Sequence, residues 1–172
     1  MPQPSANVQR QSWGNGYVQN LPGAIIWAVR DTARDPFNLS RFVEAQAPDY
    51  ARALDEIRAG RKRSHWMWYV FPQLAGLGFS ATSQRFGVSN LDEAEAYLAH
   101  PLLGPRLLEC AEAVLTVPNR SAHDIFGSPD DLKLHSCATL FALVSPTGSA
   151  FHRLLERFFA GAGDPATLRL AD

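Results

Sequence analysis

The stretch GRKRSHWMWYVFPQ, residues 60–73, places four basic or imidazole side chains directly before the bulkiest apolar stretch of the chain. Gly60 favours the end of one helix, and Phe71-Pro72 favours the end of the next. The aromatic side chains between them surround most of a helical turn, which is typical of a helix that is buried or that lines a pocket with one face. We therefore predict a basic turn followed by a core helix, with Ser64 as its N-cap.

On both sides of this stretch, apolar residues recur at three- and four-residue steps, the spacing of one helix face. Residues 35–172 are therefore predicted to form one compact all-α domain of about seven helices, with a minor strand pair as an addition. Asn90, Ser121 and Asp130 are expected to cap three of these helices. Residues 1–34 are rich in Gln, Asn, Ser, Gly and Pro and predict a poorly packed N-terminal arm.

Composition excludes several classes of protein. Of the 172 residues, 46% are hydrophobic and 19% charged, and the net charge is −1, so no global attraction to nucleic acid or to an anionic membrane is expected. No apolar run approaches the roughly 20 residues that a bilayer crossing needs, and we expect a cytoplasmic protein. The sequence lacks zinc-site spacing, HExxH, GxGxxG and P-loop motifs, so neither a metal nor a cofactor is expected.

The basic turn is a candidate anion site. Arg61 and Lys62 would present cations beside free backbone N–H groups at a helix start, an arrangement that suits phosphate. His65 could hydrogen-bond a sugar or base while Trp66 stacks on it, and Gln73 could read an edge of the same ligand. The alternatives are a solvated turn that complements the preceding helix dipole, a tryptophan that belongs to the core, and a glutamine that ties down its loop.

A second candidate set is acidic. Asp131 and Lys133 in SPDDLKLHS, with Glu44 on an earlier helix, could carry glycosidic chemistry, in which a carboxylate stabilises developing charge on the sugar. Asp131 and His135 are four residues apart, so they would share a helix face and could pair. The alternative is a set of surface charges of little energetic weight.

Four segments together resemble a known bacterial family: LSRFVEAQ (39–46), GRKRSHWMWYVFPQLAGLG (60–78), AYLAHPLLGPRL (96–107) and IFGSPDDLKLHSCATLF (125–141). The family is domain of unknown function eighteen-ten, whose members are sometimes labelled calpastatin. The resemblance runs from about Phe37 to about Leu170 and implies a mainly helical fold without implying an activity. The order of a GR turn, a Trp-rich helix and an acidic FG-x-x-D segment is also similar to the NADAR superfamily, which acts on N-glycosidic bonds of ADP-ribose-type substrates.

Three functions are consistent with these residues. The first is a hydrolase-like enzyme that binds a phosphorylated ribosyl or nucleotide-like ligand and hydrolyses its N-glycosidic bond, with Glu44, Asp131 and Lys133 as catalytic residues. The second is a non-catalytic helical module that binds a nucleotide or a protein partner. In the third, the aromatic stretch mainly builds the fold. The expected partner is a small phosphate or nucleotide-like molecule rather than a membrane or a nucleic acid, and the oligomeric state stays open.

Overall fold

The computed structural model describes residues 35–172, and this range is all-α, as the apolar spacing predicts. The expected N-terminal arm, residues 1–34, lies outside the described residues. Within the described range there are ten helices: α1 (Ser40–Gln46), α2 (Tyr50–Arg58), α3 (Met67–Val70), α4 (Ala81–Phe86), α5 (Leu91–Ala99), α6 (Leu103–Thr116), α7 (Ala122–Phe126), α8 (Asp130–Leu143), α9 (Ala150–Phe159) and α10 (Pro165–Ala171).

Two short helices, α4 and α10, have no counterpart among the predicted ones. Neither is long enough to show a clear apolar period, and such short helices are stable only through tertiary packing. Each has a local start signal, because the Ser80 side chain caps α4 and the Asp164 side chain caps α10. The predicted strand pair reduces to one isolated parallel bridge between Leu74 and Val88.

Two of the four predicted helix caps are confirmed. The Asn90 side chain accepts from the backbone N–H of Glu93 at 2.9 Å, which starts α5. Ser121 and Asp124 form a reciprocal capping box at the start of α7. In both cases the cap and its partner lie within four residues of each other, so the local sequence is sufficient to define the helix start.

The other two cap predictions are wrong, because other side chains bind the groups that were expected to cap. α3 starts after Trp66 rather than after Ser64, whose hydroxyl donates to Glu56 at 2.6 Å. α8 follows Pro129, and Asp130 is already its first residue. The Asp130 carboxylate binds two lysines instead of backbone N–H groups.

The core is a chain of aromatic contacts between helices. Tyr97 of α5 meets Phe42 of α1 edge-on at 5.1 Å between ring centroids, and it lies 5.5 Å from Phe141 of α8. Trp66, just before α3, meets Phe126 of α7 edge-on at 6.3 Å. These contacts join helices that are distant in sequence, while α9 packs against both α6 and α8. The aromatic cluster in residues 66–71 therefore belongs largely to the core.

The basic turn lies where α2 meets the ends of α6 and α7. Gly60 ends the α2 region with φ of +68°, a left-handed conformation that favours glycine. A Cβ atom there would lie 3.0 Å from Cγ1 of Val117, the C-cap of α6. Two residues later, the backbone N–H of Lys62 donates to the carbonyl of Ile125 in α7 at 2.7 Å. The backbone of the turn is thus packed against the end of α6 and against α7, independently of the side chains of residues 61–65.

Truncation of the buried indole tests its role in the core. Trp66 is 0% exposed, so Trp66→Ala should lower the free energy of unfolding by about 3–5 kcal/mol through the cavity it leaves. Phe79 is 89% exposed and serves as the matched aromatic control, with an expected change within about 0.5 kcal/mol for Phe79→Ala. Urea unfolding measures both values, and equal losses in the two variants would contradict the assignment.

Candidate functional site

One carboxylate, that of Glu56 in α2, binds the basic turn through several hydrogen bonds. It accepts hydrogen bonds from the backbone N–H groups of Arg63 at 2.8 Å and Ser64 at 3.1 Å. It also accepts from the Ser64 hydroxyl at 2.6 Å and from the Trp66 indole N–H at 2.8 Å. Burial alone would raise the pKa of the Glu56 carboxyl, but these hydrogen bonds outweigh burial and lower the pKa to about 2.

With the turn bound to Glu56 in this way, its side chains lie on two different sides. Arg61 and Arg63 are exposed, and both line an open recess of about 390 Å³. Its remaining lining residues are Arg52, Asp55, Glu56 and Ala59 of α2 and its C-cap. We call this hollow the arginine recess.

The guanidinium groups in the arginine recess are not equivalent. Arg52 forms an ion pair with Asp49, one turn earlier. The guanidinium groups of Arg61 and Arg63 form no hydrogen bond and no ion pair with any residue from 35 to 172. A guanidinium presents a planar fork of N–H donors that matches phosphate or carboxylate oxygens. Two such forks are therefore available to an anion in the recess.

Lys62 points to the opposite side of the turn, toward the start of α8. Its ammonium lies 2.6 Å from one carboxylate oxygen of Asp130, and the ammonium of Lys133 lies 2.7 Å from the other. The side chains of Lys62, Asp130 and Lys133 are 8%, 16% and 16% exposed. We call these three residues the lysine bridge, because one carboxylate joins the turn to α8.

In the lysine bridge, one carboxylate compensates the charge of two ammonium groups. Burial would raise the pKa of the Asp130 carboxyl, but the hydrogen bonds from Lys133 and Lys62 outweigh it, and its pKa lies below the usual range. Each lysine also lies over an indole, Lys62 at 5.2 Å from the Trp66 ring and Lys133 at 3.8 Å from the Trp68 ring. Both cations are thus already engaged by the protein itself.

Trp66 and Gln73, two of the predicted ligand-binding residues, face inward. Trp66 is 0% exposed and its N–H is bound to Glu56, so no open indole face is available for stacking. Gln73 lines a small cavity of about 10 Å³ together with Trp68 and Ser83, and its buried Nε2 atom has no hydrogen-bond partner within residues 35–172. This cavity has room for about one water molecule and is too small for a sugar or a base.

The three predicted catalytic residues lie apart from the arginine recess. Glu44 is exposed on α1, and its carboxylate forms no hydrogen bond with the described residues and does not pair with Lys133. Asp131 binds the ring of His123 at 2.9 Å, so the predicted Asp131–His135 pair is wrong. His135 instead stacks on Phe159 at 4.1 Å between ring centroids, because α8 packs against α9 along that face.

The structure thus divides the predicted site into separate regions. Lys62 and Lys133 meet at the carboxylate of Asp130, and Lys62 also lies over the Trp66 ring. Arg61 lines the arginine recess, whereas His65 is exposed and is not among the residues that line it. Arg61, Trp66 and α8 do not border one common hollow. The reason is that successive residues of the turn face opposite sides.

Sequence reasoning missed the residues of α2 that build the arginine recess. Arg52, Asp55, Glu56 and Ala59 are spaced at i, i+3, i+4 and i+7, so they share one helix face. That face lies opposite the apolar side that predicts the helix, and it runs directly into the basic turn. The spacing was a usable signal, but the fourfold hydrogen bonding of Glu56 depends on the tertiary path of the turn.

Two further properties are limited to the described residues. In residues 35–172, no cluster of three or more His, Cys, Asp or Glu side chains has the geometry to hold a metal ion. Over the same residues, no helix has both the length and the apolar character that a bilayer crossing requires. Cys110 and Cys137 are both buried as free thiols.

Comparison with known proteins gives a family and a structural relative. A family model described as "Protein of unknown function (DUF1810)" matches residues 36–171. The chain is also similar to the crystal structure of the conserved hypothetical protein Rv1873 from Mycobacterium tuberculosis, at 55% identity and a TM-score of 0.78. That match covers 80% of this chain and 98% of the other. No curated protein matches the sequence, and the resemblance to the NADAR superfamily stays a prediction.

Protonation of Glu56 should release the turn in acid. Its pKa is lowered from 4.5 to about 2 on folding, so its contribution to stability is complete above pH 4.5 and is lost as the pH falls toward 2. Glu56→Gln should cost about 1.5–3 kcal/mol at pH 7, and the difference from the wild type should shrink across that acid window. Urea unfolding at several pH values measures this, and a pH-independent difference would contradict it.

The lysine bridge makes a second prediction. Asp130→Asn leaves two poorly exposed ammonium groups without their shared carboxylate and should cost about 1–3 kcal/mol of unfolding free energy. Asp131→Asn is the matched control. Within residues 35–172 the ionisable partner of Asp131 is the exposed ring of His123, so this change should cost less than about 1 kcal/mol. Thermal and urea unfolding compare the two, and a larger loss in the control would refute the assignment.

Proposed function

Since this chain belongs to the DUF1810 family, whose description assigns no activity, we propose from its geometry that it binds a phosphorylated ribosyl or nucleotide-like small molecule in the arginine recess. The observation that carries the proposal is that two guanidinium groups, those of Arg61 and Arg63, are exposed, line a common recess and have no ion-pair partner among the described residues. In this proposal they bind the phosphate.

The size and shape of the recess support a small ligand. Its volume of about 390 Å³ lies within the range of small-molecule sites, about 300–1,000 Å³. It is open, and five of its six lining residues carry charged side chains, so electrostatic attraction and hydrogen bonds would supply much of the affinity. A phosphate with several oxygens can accept from both guanidinium forks at once.

The position of the turn supports preorganised binding. The hydrogen bonds from Arg63 N–H and Ser64 N–H to Glu56 fix the backbone on one side. The contact of Lys62 with Asp130 fixes it on the other. A ligand would therefore pay for ordering two arginine side chains but not for ordering the backbone that carries them.

We propose binding rather than hydrolysis. N-glycosidic hydrolysis by the residues predicted from sequence would need Glu44 or Asp131 beside the bound sugar. Neither lines the recess, and Lys133 is engaged by Asp130 and Trp68. Asp55 and Glu56 do line it, but Glu56 is bound by the turn and its low pKa makes it a poor proton donor near neutral pH. Asp55 then lacks the second carboxyl group that glycoside hydrolysis uses. The non-catalytic module is thus the function that the geometry supports best.

Titration calorimetry at low salt tests the proposal with ribose 5-phosphate and AMP as probes. The double variant Arg61→Gln/Arg63→Gln should lose affinity at least about tenfold, since it removes two charge-assisted hydrogen-bonding groups. Arg153→Gln/Arg169→Gln loses the same charge on α9 and α10, neither residue lines the recess, and it should bind like the wild type. Affinity should also fall as salt is added.

Two outcomes would overturn the proposal. One is equal loss of affinity in the recess double variant and in the control double variant, which would indicate nonspecific charge attraction. The other is release of free base from AMP by the wild type that disappears in Glu44→Ala/Asp131→Ala. That result would favour the hydrolase over the binding module.

A further inference from the structure

The arginine recess also contains one carboxylate, that of Asp55, without a partner among residues 35–172. Glu56 is occupied by the four hydrogen bonds from the turn and Trp66. Asp49, nearby on the chain, binds Arg52 and the Tyr69 hydroxyl. Asp55 lines the recess and is exposed, and its side-chain carboxylate forms no hydrogen bond or ion pair with residues 35–172.

This carboxylate is unfavourable for a ligand that is only anionic. A bare phosphate between Arg61 and Arg63 would be repelled by Asp55 in the same hollow. The carboxylate becomes favourable when the ligand carries hydrogen-bond donors at some distance from its anionic group, because a carboxylate can accept from two hydroxyls at once. The combination of two free guanidinium groups and one free carboxylate therefore indicates a ligand with two chemically different ends.

Helix geometry gives Asp55 a fixed place in the recess. It shares the exposed face of α2 with Arg52, Glu56 and Ala59, so it is carried by a regular helix rather than by a loop. Arg61 and Arg63 come instead from the turn that follows. The Asp55 carboxylate thus lies on α2, and the guanidinium groups of Arg61 and Arg63 lie on the turn. This arrangement suits a ligand that reaches from α2 to the turn.

We propose that Asp55 is a specificity-determining residue, whose carboxylate accepts hydrogen bonds from the neighbouring 2- and 3-hydroxyls of the bound sugar. This inference rests on the proposed function and narrows its ligand class to phosphorylated pentoses that carry a vicinal diol. A 2-deoxy sugar phosphate offers one donor fewer and leaves part of the carboxylate unpaired, so it binds more weakly.

Titration calorimetry with three probes tests the assignment: ribose 5-phosphate, 2-deoxyribose 5-phosphate and inorganic phosphate. The wild type should bind the ribose compound at least about fivefold more tightly than the deoxy compound, as expected for one hydrogen bond to a charged group. Asp55→Asn and Asp55→Ala should abolish that preference. Both variants should bind inorganic phosphate as well as the wild type or better, because they remove a repelling charge.

Asp92→Asn is the matched control, because Asp92 is an exposed aspartate on α5 that does not line the recess. It should keep the preference of the wild type for the ribose compound. If the preference fell equally in Asp92→Asn and Asp55→Asn, net charge rather than a local contact would be responsible, and the inference would be wrong.

The outcomes separate this inference from the proposed function. Arginine-dependent binding of both sugar phosphates with equal affinity would overturn the role of Asp55 and leave the phosphate site standing. No binding of any probe would overturn both. Tighter binding of O-phosphoethanolamine than of ribose 5-phosphate, lost in Asp55→Asn, would replace the diol with an ammonium group and refute the pentose class.

Discussion

The carboxylate of Glu56 links the basic turn to the core and organises the side of the turn that faces the arginine recess. It collects two backbone N–H groups, one hydroxyl and one indole N–H, and thereby joins α2, the turn and the buried tryptophan. A buried indole N–H requires an acceptor, and backbone N–H groups of a tight turn require the same. One ionised side chain meets both requirements, so the core and the surface feature next to it are built by the same contact.

The alternation of side chains along the turn separates two kinds of cation. Lys62 faces inward, where a poorly solvated ammonium must be compensated, and it obtains Asp130 as its counter-charge. Arg61 and Arg63 face outward, where water compensates their charge and no protein partner is needed. Of the three cations, only this outward pair has no hydrogen-bond or ion-pair partner in the described part of the chain, and it remains available to a ligand. Lys62 is thus bound by a protein carboxylate, whereas Arg61 and Arg63 project from a backbone that is itself hydrogen-bonded to Glu56.

Much of the fold follows from local rules. The apolar spacing of α2 and α9, the capping signals at Asn90 and Ser121, and the stop at Gly60 all act within a few residues. The helices expected to start after Ser64 and Asp130 begin elsewhere, because Glu56 binds Ser64 and two lysines bind Asp130. The short helices α4 and α10 escaped prediction, since segments of six or seven residues carry too little periodicity and gain their stability from tertiary contacts.

By itself the sequence determined the all-α class, the family, the basic turn and the burial of the aromatic stretch that follows it. Those properties depend on residue type and on spacing over a few positions. Tertiary structure alone decided which way each cation of the turn points, that Asp130 bridges Lys62 and Lys133, and that Asp55 shares a recess with Arg61. Side chains of opposite charge compete for partners across the whole molecule, and only the folded chain selects among them.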